Sequence, residues 1–149
     1  DKTVHGNIIF ITSSRGERAY ADNFIYGMTK AALTRACQSI AIDLSPYGIR
    51  VNCVAPGATW TPKTPAMLSP FVKESIPLHR VGTPRENGEV VAFLASENAS
   101  YITGITVRVD GGLILPGMLE AYDKIPWVRE EWKKDQYEKA MAMVKKDEE

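Results

Sequence analysis

Residues 6–30 read GNIIFITSSRGERAYADNFIYGMTK and carry the strongest structural pattern in the chain. Residues 7–13 form a continuous apolar, β-rich run after Gly6, which indicates a parallel strand buried on both faces. Residues 14–23 are polar and contain glycine, so they predict a loop. Asn23 is a plausible N-cap for a helix from about Phe24 to Leu44. Its apolar residues recur at helical spacing: Ile25, Met28, Ala32, Ala36 and Ile40.

Two more strands and another helix are indicated further along the chain. Residues 49–55 predict a strand that Pro56-Gly57 closes, and residues 105–109 predict a strand that leads into the turn at Asp110-Gly111-Gly112. Between them, Pro84 begins a helix with apolar residues on one side. Strands and helices therefore alternate up to residue 112.

Tyr26 and Lys30 lie one helical turn apart, and this spacing has a chemical consequence. Residues i and i+4 share a helix face with Cβ atoms about 5–6 Å apart, so the Lys30 ammonium can lie near the Tyr26 oxygen. A phenol is a poor base at neutral pH unless a neighbouring cation stabilises its phenolate. A hydroxyl of Ser13 or Ser14 could hold a substrate oxygen while Tyr26 moves its proton. The alternative is structural, because Y-x-x-x-K also arises in helices where the tyrosine merely packs.

Further motifs follow this pair in a fixed order. They are RVNCVAPG at 50–57 with Thr61-Pro62, FLAS at 93–96, ASYITG at 99–104 and VDGG at 109–112. In order and spacing, residues 6 to 112 resemble the C-terminal half of the short-chain dehydrogenase/reductase family. The resemblance implies an α/β fold, namely the C-terminal half of a Rossmann-like doubly wound parallel sheet with about three strands and flanking helices. It also implies an NAD(P)-dependent oxidoreductase that interconverts an alcohol and a carbonyl by hydride transfer, with NAD or NADP as the cofactor.

The resemblance gives each matching residue an expected role. Tyr26 resembles the catalytic acid–base, and Lys30 resembles the residue that stabilises the phenolate and holds the nicotinamide ribose. The turn at Pro56-Gly57 resembles the one whose backbone lies against the nicotinamide. The expected cofactor-binding residues are Tyr26, Lys30, Pro56, Gly57, Ala58 and Thr61. Asn52 matches a position that supports the fold beneath the site, so it is not assigned to catalysis.

The catalytic serine is the one position where the match is ambiguous. The family places this serine second in a Ser-Ser pair and thirteen positions before the tyrosine, whereas Ser14 is twelve and Ser13 thirteen positions before Tyr26. Gly16 follows Ser14 by two places instead of three, which indicates that the loop has lost a residue after the pair. We therefore expect Ser14 to be the catalytic serine. In the structural alternative, either hydroxyl satisfies a turn at the end of a strand.

The family's cofactor-binding first half is not recognisable in this sequence. No glycine-rich phosphate cradle follows a strand, and neither an N-N-A-G segment nor the family's relay asparagine is found. The Ile8–Thr12 strand would then have an unpaired apolar edge, which is an aggregation hazard. We expect the chain to be a fragment that is inactive by itself, with activity only beside the missing half. The alternative function is a non-catalytic, family-like module for binding or assembly.

Composition excludes several other classes of protein. The 149 residues have a formal net charge of zero, which argues against a nucleic-acid surface and offers no basic patch for membranes. Neither an apolar stretch of 18 residues nor a signal-like start is found, so a soluble, cytoplasmic protein is expected. Cys37 and Cys53 are expected to pack as small buried hydrophobes. His5 and His79 lack metal-ligand spacing, so no metal is predicted; His79 is expected in a loop, where it could touch substrate.

Two segments outside the core motifs also carry expectations. Residues 58–83 contain several prolines and apolar side chains, including Trp60, and resemble a substrate lid; a disordered surface loop is the alternative. Residues 113–149 are expected to be a helical extension of the domain 1–112, not a separate domain, with a helix from about 126 to 146. Its apolar stripe would dock on its own or a neighbouring subunit, and a solvated tail is the alternative. The family's use of the helix at 24–44 in subunit contacts suggests a homo-oligomer, a dimer or tetramer. The alternative is that the apolar stripe of this helix serves the core.

Overall fold

The computed structural model describes residues 6–64, 67 and 70–115. The helices and strands are, in chain order, β1 (Gly6–Ile11), α1 (Phe24–Leu44), β2 (Ile49–Pro56), α2 (Pro70–Glu74), α3 (Pro84–Ala95) and β3 (Thr106–Val109). Short 3₁₀ turns lie at Ser14–Gly16, Ser45–Tyr47 and Glu97–Ala99. The chain divides into two compact units, residues 1–114 and 115–149, of which the second lies outside the described residues except for Leu115.

The three strands form one parallel sheet in the order β1-β2-β3. Ile8 pairs with Val51, and Cys53 lies between Phe10 on one side and Thr106 on the other. Parallel strands cannot be joined by tight hairpins, so α1 and α3 form the connections between them. The predicted α/β fold with about three strands and flanking helices is confirmed.

Successive residues of β2 point to opposite faces of the sheet and pack against different helices. Val51 and Cys53 pack with Cys37 and Ala41 of α1, and all four are buried. Val54 packs on the other face with Leu94 of α3 and Ala99. The central strand β2 is therefore covered on both sides.

β1 is an edge strand among the described residues, because β2 is its only partner in the sheet. The side chains of Ile8 and Ile11 are 37% and 48% exposed, so the described residues do not bury β1 on both faces as its apolar run predicted. The unpaired apolar edge expected from the sequence is therefore present in the described part of the chain.

α1 has the predicted bounds, and the described residues cover only part of its apolar stripe. Ile40 packs against the core, whereas Ile25 and Met28 are each 62% exposed. Asn23 precedes the helix, but its side chain makes no capping hydrogen bond and its Oδ1 has no partner within the described residues. The N-cap is thus correct by position and wrong in its expected hydrogen bond. The first half of α1 presents an apolar surface that no described residue covers.

Candidate active site

The carboxyl ends of the three strands lie side by side and carry most of the candidate residues. Ile11 pairs with Val54, and the backbone N–H and Oγ1 of Thr12 donate to the Val54 carbonyl at 2.8 and 3.1 Å. At the other side of β2, the N–H of Gly57 donates to the Val109 carbonyl at 3.0 Å. Ligands of open parallel sheets bind outside this edge. The serine pair, the Pro56-Gly57 turn and the turn at 110–112 therefore open onto one region.

The two serines have different surroundings. The Oγ of Ser13 accepts a hydrogen bond from the N–H of Arg15 at 3.2 Å and caps the 3₁₀ turn at Ser14–Gly16. Ser13 thus makes the local turn contact that the structural alternative described. Ser14 is 1% exposed and its hydroxyl is not used in that cap. Ser14 is thus more deeply buried than Ser13, at 1% against 8% exposed, and the choice of Ser14 as the catalytic serine stays a prediction.

Two glycines allow the serine turn to lie directly on the first part of α1. A Cβ added to Gly16 would stand 2.9 Å from the backbone N of Ala31 and 2.9 Å from the backbone C of Lys30. A Cβ added to Gly27 would stand 3.0 Å from the Arg15 carbonyl oxygen. A side chain larger than hydrogen at Gly16 would push the turn away from the helix. Gly16 thus allows the serine turn to lie against the turn of α1 that carries Tyr26 and Lys30.

The side chains of Tyr26 and Lys30 lie on the same side of α1. The Lys30 Nζ is 5.6 Å from the centroid of the Tyr26 ring and donates a hydrogen bond to the Ile11 carbonyl at 2.9 Å. Tyr26 is 44% exposed, so its ring is open to a ligand. The end of β1 therefore anchors the ammonium beside the phenol, and the helical spacing alone could not show this anchor.

The turn after β2 packs closely against the turn after β3. A Cβ added to Gly57 would stand 2.6 Å from both the Cα and the Cβ of Asp110, so only glycine fits there. The Ala58 carbonyl accepts from Gly82 at 2.9 Å, and the Thr61 N–H donates to the Thr64 Oγ1 at 2.9 Å. The hydrogen bonds of Ala58 and Thr61 thus lie within residues 58–83 and do not involve Tyr26 or Lys30. Their cofactor contacts stay predictions, as does that of Pro56.

Backbone contacts join the two ends of the segment 58–83 to each other and its last part to the turn after β3. Thr59 bridges Gly82, and the Trp60 N–H donates to the Gly82 carbonyl at 2.9 Å. Ile76 is buried, and the Leu78 N–H donates to the Gly111 carbonyl at 3.2 Å. The segment therefore starts and ends beside the candidate site. Residues 65–66 and 68–69 lie outside the described part, and a lid function stays a prediction.

An ion pair and a capping box hold the segment 58–83 to α3, and the sequence analysis missed both. Arg80 forms a bidentate pair with Glu86 at 2.6 and 3.1 Å, and Glu86 also accepts from the N–H of Thr83 at 2.8 Å. These hydrogen bonds, with that of Arg80 the largest, lower the pKa of Glu86 from 4.5 to about 2. The capping box could have been found from Thr83 with Glu86 three residues later. The partner Arg80 had no such local signal.

Asn52 is buried on β2, and its side chain binds the backbone of the segment that leads into β3. Its Nδ2 donates to the Ile102 carbonyl at 2.9 Å, and its Oδ1 accepts from the Ile105 N–H at 3.2 Å. These contacts agree with the supporting role that the resemblance implied.

The remaining sequence expectations concern the thiols, the histidines and metal binding. Cys37 and Cys53 are free and buried, as expected, and burial raises the pKa of Cys53 to about 12. His79 is exposed and has a positive φ of 53°, as a loop position allows, whereas His5 lies outside the described residues. Within the described ranges, no group of three or more His, Cys, Asp or Glu side chains could hold a metal ion. The prediction of no metal stays a prediction.

A surface depression lies away from this edge of the sheet. A depression of about 340 Å³ is lined by Gly6, Ile49 and Thr103 among others, at the opposite end of the strands, and is therefore not the candidate site. None of the helices in the described part of the chain is long and apolar enough to span a membrane.

Comparison with known proteins shows the family of this chain. The model of a family described as enoyl-(acyl carrier protein) reductase matches residues 2–114. A solved oxidoreductase of the short-chain dehydrogenase/reductase family, from Burkholderia thailandensis, is 31% identical with a TM-score of 0.72. The match covers 79% of this chain and 48% of that one. The chain belongs to the short-chain dehydrogenase/reductase family.

Two further proteins are similar to about three quarters of the chain. The protein FixR of Bradyrhizobium diazoefficiens is 43% identical over 116 residues, which are 74% of this chain and 40% of FixR. A blue fluorescent protein from a metagenomic library, solved in complex with NADPH, is 33% identical with a TM-score of 0.68, over 72% of this chain and 45% of that one. The chain thus spans less than half the length of these relatives.

Proposed function

We propose that this chain provides the catalytic half of an NAD(P)-dependent oxidoreductase that interconverts an alcohol and a carbonyl. The observation that carries the proposal is the Lys30 ammonium, anchored on the Ile11 carbonyl and 5.6 Å from the Tyr26 ring, at the edge of the sheet where ligands bind. The serine turn lies against the same part of α1. A proton-transferring group, its neighbouring cation and a hydroxyl donor therefore occupy one site.

Each of these side chains has a distinct task in the proposed reaction. For reduction, Ser14 donates a hydrogen bond to the carbonyl oxygen, and the Tyr26 hydroxyl gives that oxygen its proton as hydride reaches the carbon. For oxidation, the Tyr26 phenolate takes the proton from the alcohol. The Lys30 ammonium stabilises the phenolate through its charge in either direction. The nicotinamide, when bound, supplies or accepts the hydride, since no protein side chain can do so.

The described residues fit only one part of a dinucleotide. The Lys30 ammonium offers donors suited to a ribose, Tyr26 lies beside it, and the backbone at Pro56-Gly57 ends near them at the edge of the sheet. A glycine-rich turn suited to a pyrophosphate is not found in the sequence. We therefore propose that the chain by itself binds the cofactor weakly and does not turn over, and that activity needs the other half of the sheet. The NADPH complex of the fluorescent relative supports a nicotinamide cofactor.

The direct test replaces Tyr26 with phenylalanine in a subunit that includes both halves. Tyr26→Phe keeps the ring and removes the hydroxyl, so kcat should fall to near the background rate while the Kd for NAD(P)H stays within about twofold. Tyr47→Phe is the matched control, because Tyr47 is exposed in the turn before β2, at the opposite end of the strands. Near-normal turnover of Tyr26→Phe would refute the proposed role.

The same variant series tests Ser14 and separates it from Ser13. Ser14→Ala should lower kcat strongly, since the carbonyl oxygen loses a donor in the transition state. Ser13→Ala should mainly loosen the turn that Ser13 caps, with a lower melting temperature and a smaller loss of kcat. The reverse pattern would assign catalysis to Ser13.

A non-catalytic module for binding or assembly is the second candidate function. It is favoured by the missing phosphate cradle and by the open edge of β1, where another strand could pair. Calorimetry with NAD(H) and NADP(H), on this chain and on a subunit with both halves, separates the two candidates. Binding and turnover by the longer form support the oxidoreductase. Binding by neither form supports the module.

We also propose that the apolar surface at the start of α1 is covered in a homo-oligomer. Phe24 is 79% exposed, beside Ile25 and Met28, and surfaces of this kind are usually buried against a partner. Light scattering on the subunit with both halves should give a dimer or tetramer. Met28→Asp should weaken that assembly, and an unchanged mass for this variant would place the interface elsewhere.

A further inference from the structure

The main chain of the loop between β1 and α1 fixes Arg15 between the two catalytic candidates. Arg15 directly follows Ser14 in the 3₁₀ turn. Its carbonyl oxygen would lie 3.0 Å from a Cβ on Gly27, the residue after Tyr26. The backbone of Arg15 therefore touches the turn of α1 that carries the phenol.

The Arg15 side chain is held in position but remains open for a ligand. Its guanidinium carbon lies 4.9 Å from the centroid of the Tyr20 ring, within the range of a cation–π contact. Arg15 is exposed, and its guanidinium makes no hydrogen bond or ion pair with the described residues. The contact with the Tyr20 ring uses the flat face of the guanidinium and restricts the Arg15 side chain. It leaves the N–H groups at the edge of the guanidinium free.

The acids near this loop do not neutralise the guanidinium. Glu17 pairs with Arg108 at 3.6 Å, and the carboxylate of Asp110 accepts from the backbone N–H groups of Gly112 and Ile114. Asp22, the other acid of the loop, forms no ion pair with the described residues. A second guanidinium of the loop, on Arg18, donates to the Leu113 carbonyl at 3.5 Å and has no ion pair within the described residues either. The loop thus offers two cations without a carboxylate partner in that part of the chain.

We propose that Arg15 is a specificity-determining residue that binds an anionic group of the substrate, with Arg18 adding positive charge at the rim. The proposal rests on the proposed oxidoreductase function, and it names the substrate class as alcohols or carbonyls that carry a carboxylate or a phosphate. A guanidinium binds either anion with two parallel hydrogen bonds, which also orient it. The anion on Arg15 and the reacting oxygen at Ser14 and Tyr26 would then fix a small substrate at two points.

The test compares charged and neutral substrates in a subunit that includes both halves. The probes are 3-hydroxybutyrate, its neutral methyl ester and glycerol 3-phosphate, with kcat/KM measured for the wild type, Arg15→Gln and Arg15→Lys. Arg15→Gln should lower kcat/KM for the preferred anion about 10- to 100-fold, as expected for a hydrogen bond to a charged group, and change the ester less than about twofold. Arg15→Lys should be intermediate, since it keeps the charge and loses the fork.

Arg85→Gln is the matched control, because Arg85 is an exposed arginine on α3 with Glu89 as its partner. It should leave all three substrates unchanged. The preferred anion distinguishes a carboxylate from a phosphate substrate. Equal losses for anion and ester in Arg15→Gln, or a wild type that prefers the ester, would overturn the proposal.

A binding measurement keeps this proposal separate from the proposed reaction. If no probe is turned over, the oxidoreductase reading fails for these substrates, and calorimetry with the two anions still decides the role of Arg15. Binding of either anion that is lost in Arg15→Gln supports the anion site. Binding that is unchanged in that variant, or no binding of either anion by the wild type, overturns it.

Discussion

Replacing Gly16 with alanine should separate the serine turn from Tyr26 and Lys30 without removing any reacting group. The added Cβ would stand 2.9 Å from backbone atoms of Lys30 and Ala31, whereas carbon atoms pack best at about 3.5–4.0 Å. The turn must therefore move by at least about 0.6 Å, and the backbone of α1 cannot yield as a side chain could. Ser14 moves with the turn.

The expected cost follows from the size of this movement. A displacement of 1 Å in a catalytic arrangement can lower the rate about 100-fold, so Gly16→Ala should lower kcat/KM about 10- to 100-fold. The assay is steady-state kinetics on a subunit with both halves, together with calorimetry of NAD(P)H binding. The Kd for the cofactor should stay within about threefold, since Tyr26 and Lys30 remain on an intact helix.

Gly88→Ala is the control for the same chemical change elsewhere. Nothing lies within 4 Å of a Cβ at Gly88, and alanine favours a helix interior over glycine by about 1 kcal/mol. This variant should keep full activity and melt at a slightly higher temperature. Full activity of Gly16→Ala would refute the argument that the close contact positions the serine.

Three further predictions concern stability. The pKa of Glu86 is about 2 in the folded state and 4.5 ordinarily, so its contribution to the free energy of unfolding is present above pH 4.5 and is lost as pH falls toward 2. In urea unfolding, Glu86→Gln should therefore reduce the loss of stability between pH 5 and 3. A loss equal to that of the wild type would contradict this. Thr83→Ala removes the cap of α3 and should lower the free energy of unfolding by about 1 kcal/mol, whereas no change would show that the cap is not used. Cys53, with a pKa of about 12, and the buried Cys37 should react with Ellman's reagent only on unfolding; rapid reaction of the native protein would contradict their burial.

The sequence predicted the elements well where one local pattern determined them. The apolar run at residues 7–13 and the helical spacing from Phe24 to Leu44 located β1 and α1, and the bounds of α1 are those predicted. β1 ends at Ile11, two residues before the predicted end, because Ser13 caps the following turn with its side chain. Strand propensity alone does not show where such a side-chain contact ends the ladder.

Predictions failed or stayed open where they depended on contacts between distant residues. Helical spacing indicated α1 but left open whether its apolar stripe faces the core or another subunit, and Ile25 and Met28 are exposed. Arg80 precedes α3, and Glu86 lies in the first turn of that helix, which begins at Pro84. No periodic pattern in the sequence indicates the ion pair between them. The i, i+4 spacing predicted that the Lys30 Nζ lies near Tyr26. Only the fold shows that the Ile11 carbonyl anchors this Nζ.

The most direct test of the Tyr26 assignment is a single-turnover experiment with nicotinamide cofactor deuterated at C4. The account predicts that the wild-type subunit with both halves transfers one deuterium to the carbinol carbon of the product, detected by mass spectrometry. It also predicts that Tyr26→Phe binds the same cofactor and transfers almost none in the same time. The reduced cofactor carries deuterium at both C4 positions, so the result does not depend on which face of the nicotinamide donates. Product without deuterium from the wild type, or equal transfer by Tyr26→Phe, would contradict the Tyr26 assignment.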